Sequence, residues 1–135
     1  MSLFEWTDDY SLGIREIDDQ HRKLLDIINE LHGAIRAGLG REALSGVLDD
    51  MVRYAYSHFS TEEHYMERYE YPGQEAHVKE HQTFLEETEA IQDRLSGREQ
   101  VLSLEVLVFL KDWLTRHILV IDRQYVSHFK SRGLQ

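Results

Sequence analysis

Four stretches of this chain repeat apolar residues at the i, i+3/i+4, i+7 spacing of an amphipathic helix, and each stripe carries histidine. In the second stretch Met51, Ala55, His58, Glu62 and Met66 fall on one face. In the third, His77 and His81 lie one helical turn apart, so both side chains point the same way. An imidazole and a carboxylate on a core stripe are costly to bury unless something binds them. Fold and chemistry are therefore constrained together. The helices must converge, and metal is the obvious object of convergence.

The stripes set the elements. Asp18 or Asp19 is expected to cap a first helix running to about Leu39, with His21, Leu24, Leu25, Ile28, Leu31 and Ile35 inward and Gly38 and Gly40 at its end. The second spans about 41–69, with Leu44, Val47, Leu48, Met51, Val52, Ala55 and Phe59 inward, and Tyr69-Glu70-Tyr71-Pro72-Gly73 breaks it. The third covers about 74–95, its inner side being His77, His81, Phe84 or Leu85, Thr88, Ile91 and Leu95, and Ser96-Gly97 closes it. The fourth runs from near Ser103 to about Lys130, with Val106, Phe109, Leu110, Trp113, His117, Val120, Ile121 and Gln124 around its inner side. Residues 1–17 hold Phe4, Trp6, Tyr10, Leu12, Ile14 and Ile17 without a helical period, and predict an ordered arm laid across a bundle formed by 18–135. Strand signals and internal repeats are missing from the sequence. Long amphipathic helices with short connections predict an all-α, antiparallel up-down-up-down four-helix bundle with an N-terminal arm, as a single domain.

Composition narrows the function classes. A chain of 135 residues, 41% hydrophobic and 30% charged, is long enough to bury one core without staples. The absence of cysteine excludes disulfides, thiolate metal sites and cysteine-held iron–sulfur clusters. A net charge of −10, from 25 acidic and 15 basic residues, repels phosphate backbones and argues against nucleic acid as a partner. Residues 101–121 are apolar-rich, but Glu105, Lys111, Asp112 and Arg116 interrupt them, so no membrane insertion is expected. The opening MSLFEWTDDYSLG lacks the basic-then-apolar pattern of a signal peptide, which makes the cytoplasm the expected compartment.

His21, His58, His77, His81 and His117 together occupy inner stripes on all four helices. A single core histidine is usually a hydrogen-bonded packing residue. Five converging imidazoles would each need partners for two ring nitrogens and would repel one another if protonated. Metal satisfies them at once. Glu62, one turn after His58, is placed to join them. Asp122 follows His117 by five residues, about 140° around a regular α-helix, so periodicity does not assign it and alone it reads as a surface aspartate. His32, His64 and His128 receive no ligand role. Tyr54, Tyr56, Tyr65 and Tyr125 read mostly as surface or boundary packing, with a role as outer hydrogen-bond donors left open.

In order, His21, His58-xxx-Glu62, His77-xxx-His81 and His117-xxxx-Asp122 resemble the ligand signature of the hemerythrin family, its bacterial members especially. Asp18 three before His21, the Glu62-Glu63-x-x-Met66 run, Tyr71-Pro72 before His77, Phe84 after His81 and Trp113-Leu114-x-x-His117-Ile118 also fit. The resemblance covers about residues 6–125. It implies a non-haem di-iron centre. By that analogy His77, His81 and His117 would hold one iron and His21 with His58 the other, while Glu62 and Asp122 bridge the pair beside an oxo or hydroxo group.

Two octahedral irons, a geometry taken from the family, offer about twelve positions. The five histidines, two bridging carboxylates and shared oxygen fill all but one. The opening falls on the two-histidine iron, where dioxygen is expected. Oxidases of the ferritin-like kind use four carboxylates and two histidines. Five neutral histidines with two carboxylates leave a more positive cluster, which favours binding over oxidation, so no enzyme activity is expected. Leu114, Ile118 and Ile121 flank His117 as candidates for an apolar pocket wall. The function implied is reversible dioxygen binding for transport, storage or delivery. The alternatives are oxygen or redox sensing through a separate protein partner, which the sequence does not identify, and reduction of nitric oxide or peroxide.

Overall fold

The structure is a computed structural model that describes residues 5–38, 40–97 and 103–135; Phe4 and Leu39 lie outside those residues. Its elements are a 3-10 turn at Asp8–Tyr10, then α1 (Arg15–Arg36), α2 (Arg41–Arg68), α3 (Gln74–Ser96), α4 (Ser103–Arg116), a π-helical segment (His117–Asp122) and α5 (Arg123–Ser131). Because α4, the π segment and α5 run on without a break, they form one long fourth helix. The result is an antiparallel four-helix bundle, and among the described residues there is no strand. No described helix is long and apolar enough to cross a membrane.

Helix α1 begins three residues earlier than its expected cap. Its N-cap is Ile14, which makes no side-chain cap bond. Asp18 is instead buried in the first turn, where its carboxylate accepts from the Leu12 backbone N–H (2.8 Å) and the Ser11 hydroxyl (2.6 Å). The carboxylate thus ties the incoming segment to the helix. Leu12, Ile14 and Ile17 are buried beside Met66, Tyr125 and Phe129, while Trp6 and Tyr10 pack on the main core.

Helix α2 ends in a Schellman turn. The Tyr71 N–H bonds Met66 O (2.8 Å) and the Glu70 N–H bonds Glu67 O (3.2 Å), which requires a left-handed residue between them. Glu70 occupies that position at φ 53°. At the end of α5 the same turn uses Gly133, with Leu134 N–H bonding Phe129 O and Gly133 N–H bonding Lys130 O.

Two apolar clusters result. The larger gathers Leu24, Ile28, Leu31, Leu48, Met51, Phe59, Phe84, Leu110 and Leu114, and the smaller is the Leu12–Phe129 group just described. Along α1, α2 and the fourth helix the chain passes from one cluster to the other across the histidine positions. A polar layer is therefore sandwiched between two apolar ones.

The fourth helix departs from its expected register. Val120 and Gln124, placed inward by a regular 3.6-residue period, are exposed, Val120 to 52%. The π segment takes one extra residue per turn, so every later position advances by one. Asp122, Tyr125 and Phe129 take the inner side instead, all buried.

Candidate metal centre

All seven side chains singled out by spacing and resemblance are buried: His21, His58, Glu62, His77, His81, His117 and Asp122. Their donor atoms form two overlapping groups. One contains His21, His58, Glu62, His117 and Asp122; the other contains Glu62, His77, His81, His117 and Asp122, with the atoms of each group within 4.8 Å of one another. Glu62 and Asp122 are common to both, as bridging carboxylates would be. His117 also belongs to both.

The π segment explains Asp122. Five residues make just over one turn of a π-helix, so His117 and Asp122 face the same way, and their Nε2 and Oδ2 are 2.8 Å apart. The reading of Asp122 as a surface residue fails for this reason: it is 0% exposed. Such turns are uncommon within helices and concentrate at functional sites.

Nitrogen and oxygen atoms crowd this layer more than pairwise hydrogen bonding explains. His77 Nε2 lies 2.9 Å from Glu62 Oε2 and 2.9 Å from Asp122 Oδ1, yet one ring nitrogen carries at most one hydrogen. Only the first contact has hydrogen-bond geometry, and Asp122 Oδ1 has no hydrogen-bond partner. His21 Nε2 points at His58 Nε2 (3.0 Å) and also at Asp122 Oδ2 (2.7 Å). His58 Nε2 abuts Glu62 Oε1, and the buried Nε2 of His81 has no hydrogen-bond partner. Lone pairs directed at common points, rather than at each other's hydrogens, suit cations between them. The donor set, five imidazoles and two shared carboxylates, fits a two-metal site.

The outer nitrogens of two rings are held from behind. His58 Nδ1 donates to Gln20 Oε1 (2.7 Å), and the Gln20 amide donates onward to the Thr61 hydroxyl (3.0 Å). His81 Nδ1 donates to Glu63 Oε2 (2.9 Å). Both acceptors fix the hydrogen on Nδ1, which leaves the Nε2 lone pair of the neutral ring facing the cluster. Flat stacking adds to this: Phe59 lies on His81 (3.9 Å, 8°), and Trp113 on His117 (4.5 Å, 15°). Spacing could not reveal Gln20, because its partner is on another helix; Glu63 carried only the signal of standing beside Glu62.

Charge inside the layer is balanced by the histidines themselves. Burial disfavours protonation of His58 and His77, but Glu62 and Asp122 outweigh it and raise them to about 9 and about 10. The same carboxylates raise His117 against its burial. Burial and the neighbouring charge of His58 lower His21, and burial lowers His81 to about 3. Both Glu62 and Asp122 are held below the ordinary carboxylate range: burial and mutual repulsion oppose this for Glu62, and the surrounding histidines prevail. With no metal, the raised His58, His77 and His117 are thus the cationic counterparts of the two carboxylates.

A buried layer of five histidines and two carboxylates inside an antiparallel four-helix bundle defines a helical metal-binding domain. The family model described as "Hemerythrin HHE cation binding domain" matches residues 12–129. The chain belongs to the hemerythrin family. It is 36% identical over 131 residues to a protein named Bacteriohemerythrin from Stenotrophomonas maltophilia, covering 97% of this chain and 84% of that one. It is 32% identical over 129 residues to the Bacteriohemerythrin of Clostridium acetobutylicum, covering 93% of this chain and all of that one. A crystal structure of wild-type hemerythrin superimposes with a TM-score of 0.88 at 28% identity, covering 95% of this chain and 98% of that chain.

Proposed function

We propose that this protein binds dioxygen reversibly at a di-iron centre held by His21, His58, Glu62, His77, His81, His117 and Asp122. The observation that carries the reading is the pair of donor groups sharing Glu62 and Asp122. His77, His81 and His117 would hold one iron, His21 and His58 the other, with the two carboxylates and an oxo or hydroxo group between them. When bound, the irons supply the electrons that reversible dioxygen binding needs.

The chain's own residues set the conditions. Gln20 and Glu63 hold His58 and His81 with Nε2 directed inward. Leu114, Ile118 and Ile121 are buried beside His117 and make the neighbouring wall apolar. Above the layer, Leu24, Met51, Ala55, Phe84, Trp113 and Leu114 surround an apolar pocket with no room for a water molecule. Dry, apolar surroundings favour a small neutral gas over ions and limit proton access to the site. Neutral imidazoles outnumber carboxylates, a balance suited to binding rather than oxidation. The protein acts as a carrier, store or delivery module, working in the cytoplasm.

The test is metal analysis coupled to a visible spectrum. Two irons per chain are expected, with a charge-transfer band that appears when the reduced protein meets dioxygen and bleaches when the gas is removed. Iron bound in that ratio with no oxygen-dependent band would sink the reading.

A further inference from the structure

One buried hydroxyl next to the centre has no role in the function proposed above. Tyr125 is fully buried, its ring stacks on that of His77 (5.4 Å, 28°), and its hydroxyl has no hydrogen-bond partner of normal geometry. A buried hydroxyl without a well-formed hydrogen bond is costly. Phenylalanine would fill the same space without that cost, as Phe129, stacked on Tyr125 (4.4 Å, 20°), does in the same cluster. Packing accounts for the ring but not for the oxygen. What phenylalanine lacks is an oxidisable phenol facing the Glu62 carboxylate.

A second phenol continues the line outward. Tyr71 meets Tyr125 edge to face (6.3 Å, 86°). It is half-buried, and with Pro72, Gln74, Glu75 and Val78 it lines an open surface groove. Two tyrosines thus bridge the distance from a ring of the site to solvent, and no other side chain need intervene.

We propose that Tyr125 and Tyr71 form a relay that carries oxidising equivalents out of the metal centre when the centre meets hydrogen peroxide, which spares the histidines around it. The relay rests on the di-iron reading. In each pass Tyr125 gives one electron to the oxidised centre and its phenolic proton to the Glu62 side, becoming a phenoxyl radical. Tyr71 then returns an electron to Tyr125, which recovers its proton, and Tyr71 releases its own proton to the groove. A soluble thiol refills Tyr71 by giving a hydrogen atom. After two passes peroxide has taken two electrons, and two protons from solvent that match the two Tyr71 released to the groove, to become two waters, and two thiols have become one disulfide. The Tyr125 hydroxyl lies against the Glu62 carboxylate, which gives its proton an acceptor.

The test compares the iron-loaded protein with Tyr125→Phe and Tyr71→Phe. Each is treated with stoichiometric hydrogen peroxide, freeze-quenched for paramagnetic resonance and mapped for oxidised residues by mass spectrometry, with iron measured on the same samples. Expected is a transient tyrosyl signal in the parent and a longer-lived one in Tyr71→Phe. Tyr125→Phe is expected to lose the signal and to show several-fold more oxidation of His77 and faster iron loss. A parent protein with its iron but no radical, or a Tyr125→Phe variant with unchanged signal and unchanged histidine oxidation, overturns the relay alone. A chain that takes up no iron overturns the relay and the di-iron reading together.

Discussion

Metal uptake by the empty protein is expected to expel protons, and the structure says from where. With no metal, the Glu62 and Asp122 charges overcome burial to keep His58 and His77 protonated up to about 9 and about 10. Each ring must become neutral before its Nε2 can bind a cation. At pH 7.5 the two gaps sum to about four pH units, or about 5 kcal/mol that the metal must offset at 1.36 kcal/mol per unit. Loading near neutral pH therefore releases at least about two protons per chain, with the raised His117 adding to them, and the apparent association constant rises at least about a hundredfold per pH unit near neutrality. The assay is anaerobic titration of the metal-free protein with ferrous iron, by calorimetry in two buffers of different ionisation enthalpy. Full loading with no proton release would refute the charge balance described for the layer.

The same groups set opposite pH trends for the empty and loaded protein. Raised histidines stabilise the metal-free fold fully below their ordinary 6.5 and lose that contribution as pH rises through about 9 and about 10. Lowered carboxylates stabilise it fully above their ordinary 4.5 and 3.8 and lose that contribution as pH falls. The lowered His21 and His81 oppose folding increasingly as pH falls below their ordinary 6.5, so denaturant unfolding of the metal-free protein is expected to show greatest stability near pH 6.5, whereas equilibration of the loaded protein near pH 4 is expected to strip its metal. Gln20→Ala frees the back of the His58 ring and is expected to weaken metal affinity about 10–100-fold in a competition titration, with the fold intact by circular dichroism. Asp18→Ala removes the acceptor for Leu12 and Ser11 and is expected to cost about 1–3 kcal/mol in chemical denaturation. Glu70→Gly removes a side chain from a left-handed position and is expected to raise stability by about 1 kcal/mol; a loss would show that the Glu70 side chain earns its place by contacts of its own.

Periodicity carried most of this fold. The inner faces of α1 to α3 follow from their apolar stripes, and His21, His58, Glu62, His77 and His81 are buried as their spacing predicts. Those pairs were legible because one turn of α-helix is a fixed angle. Asp122 was legible only through resemblance, since a regular helix turns it away and nothing local announces a π turn. The same slip misplaced Val120 and Gln124 and hid Tyr125. Asp18 was misread for a different reason: an aspartate near a helix start resembles a cap, but only the path of the preceding backbone shows which N–H it meets. Contacts between helices, such as Gln20 with His58, leave no mark on the spacing of either helix.

The π segment also acts as a phase control for the end of the chain. Because Asp122, Tyr125 and Phe129 share one inward register, the turn that brings the carboxylate to the histidines also seats two aromatic rings in the smaller apolar cluster. Straightening it would rotate all three outward in one step. Loss of the carboxylate and unpacking of the C-terminal turns are therefore a single event. A metal bound through Asp122 would thus link its own affinity to the anchoring of the last helix.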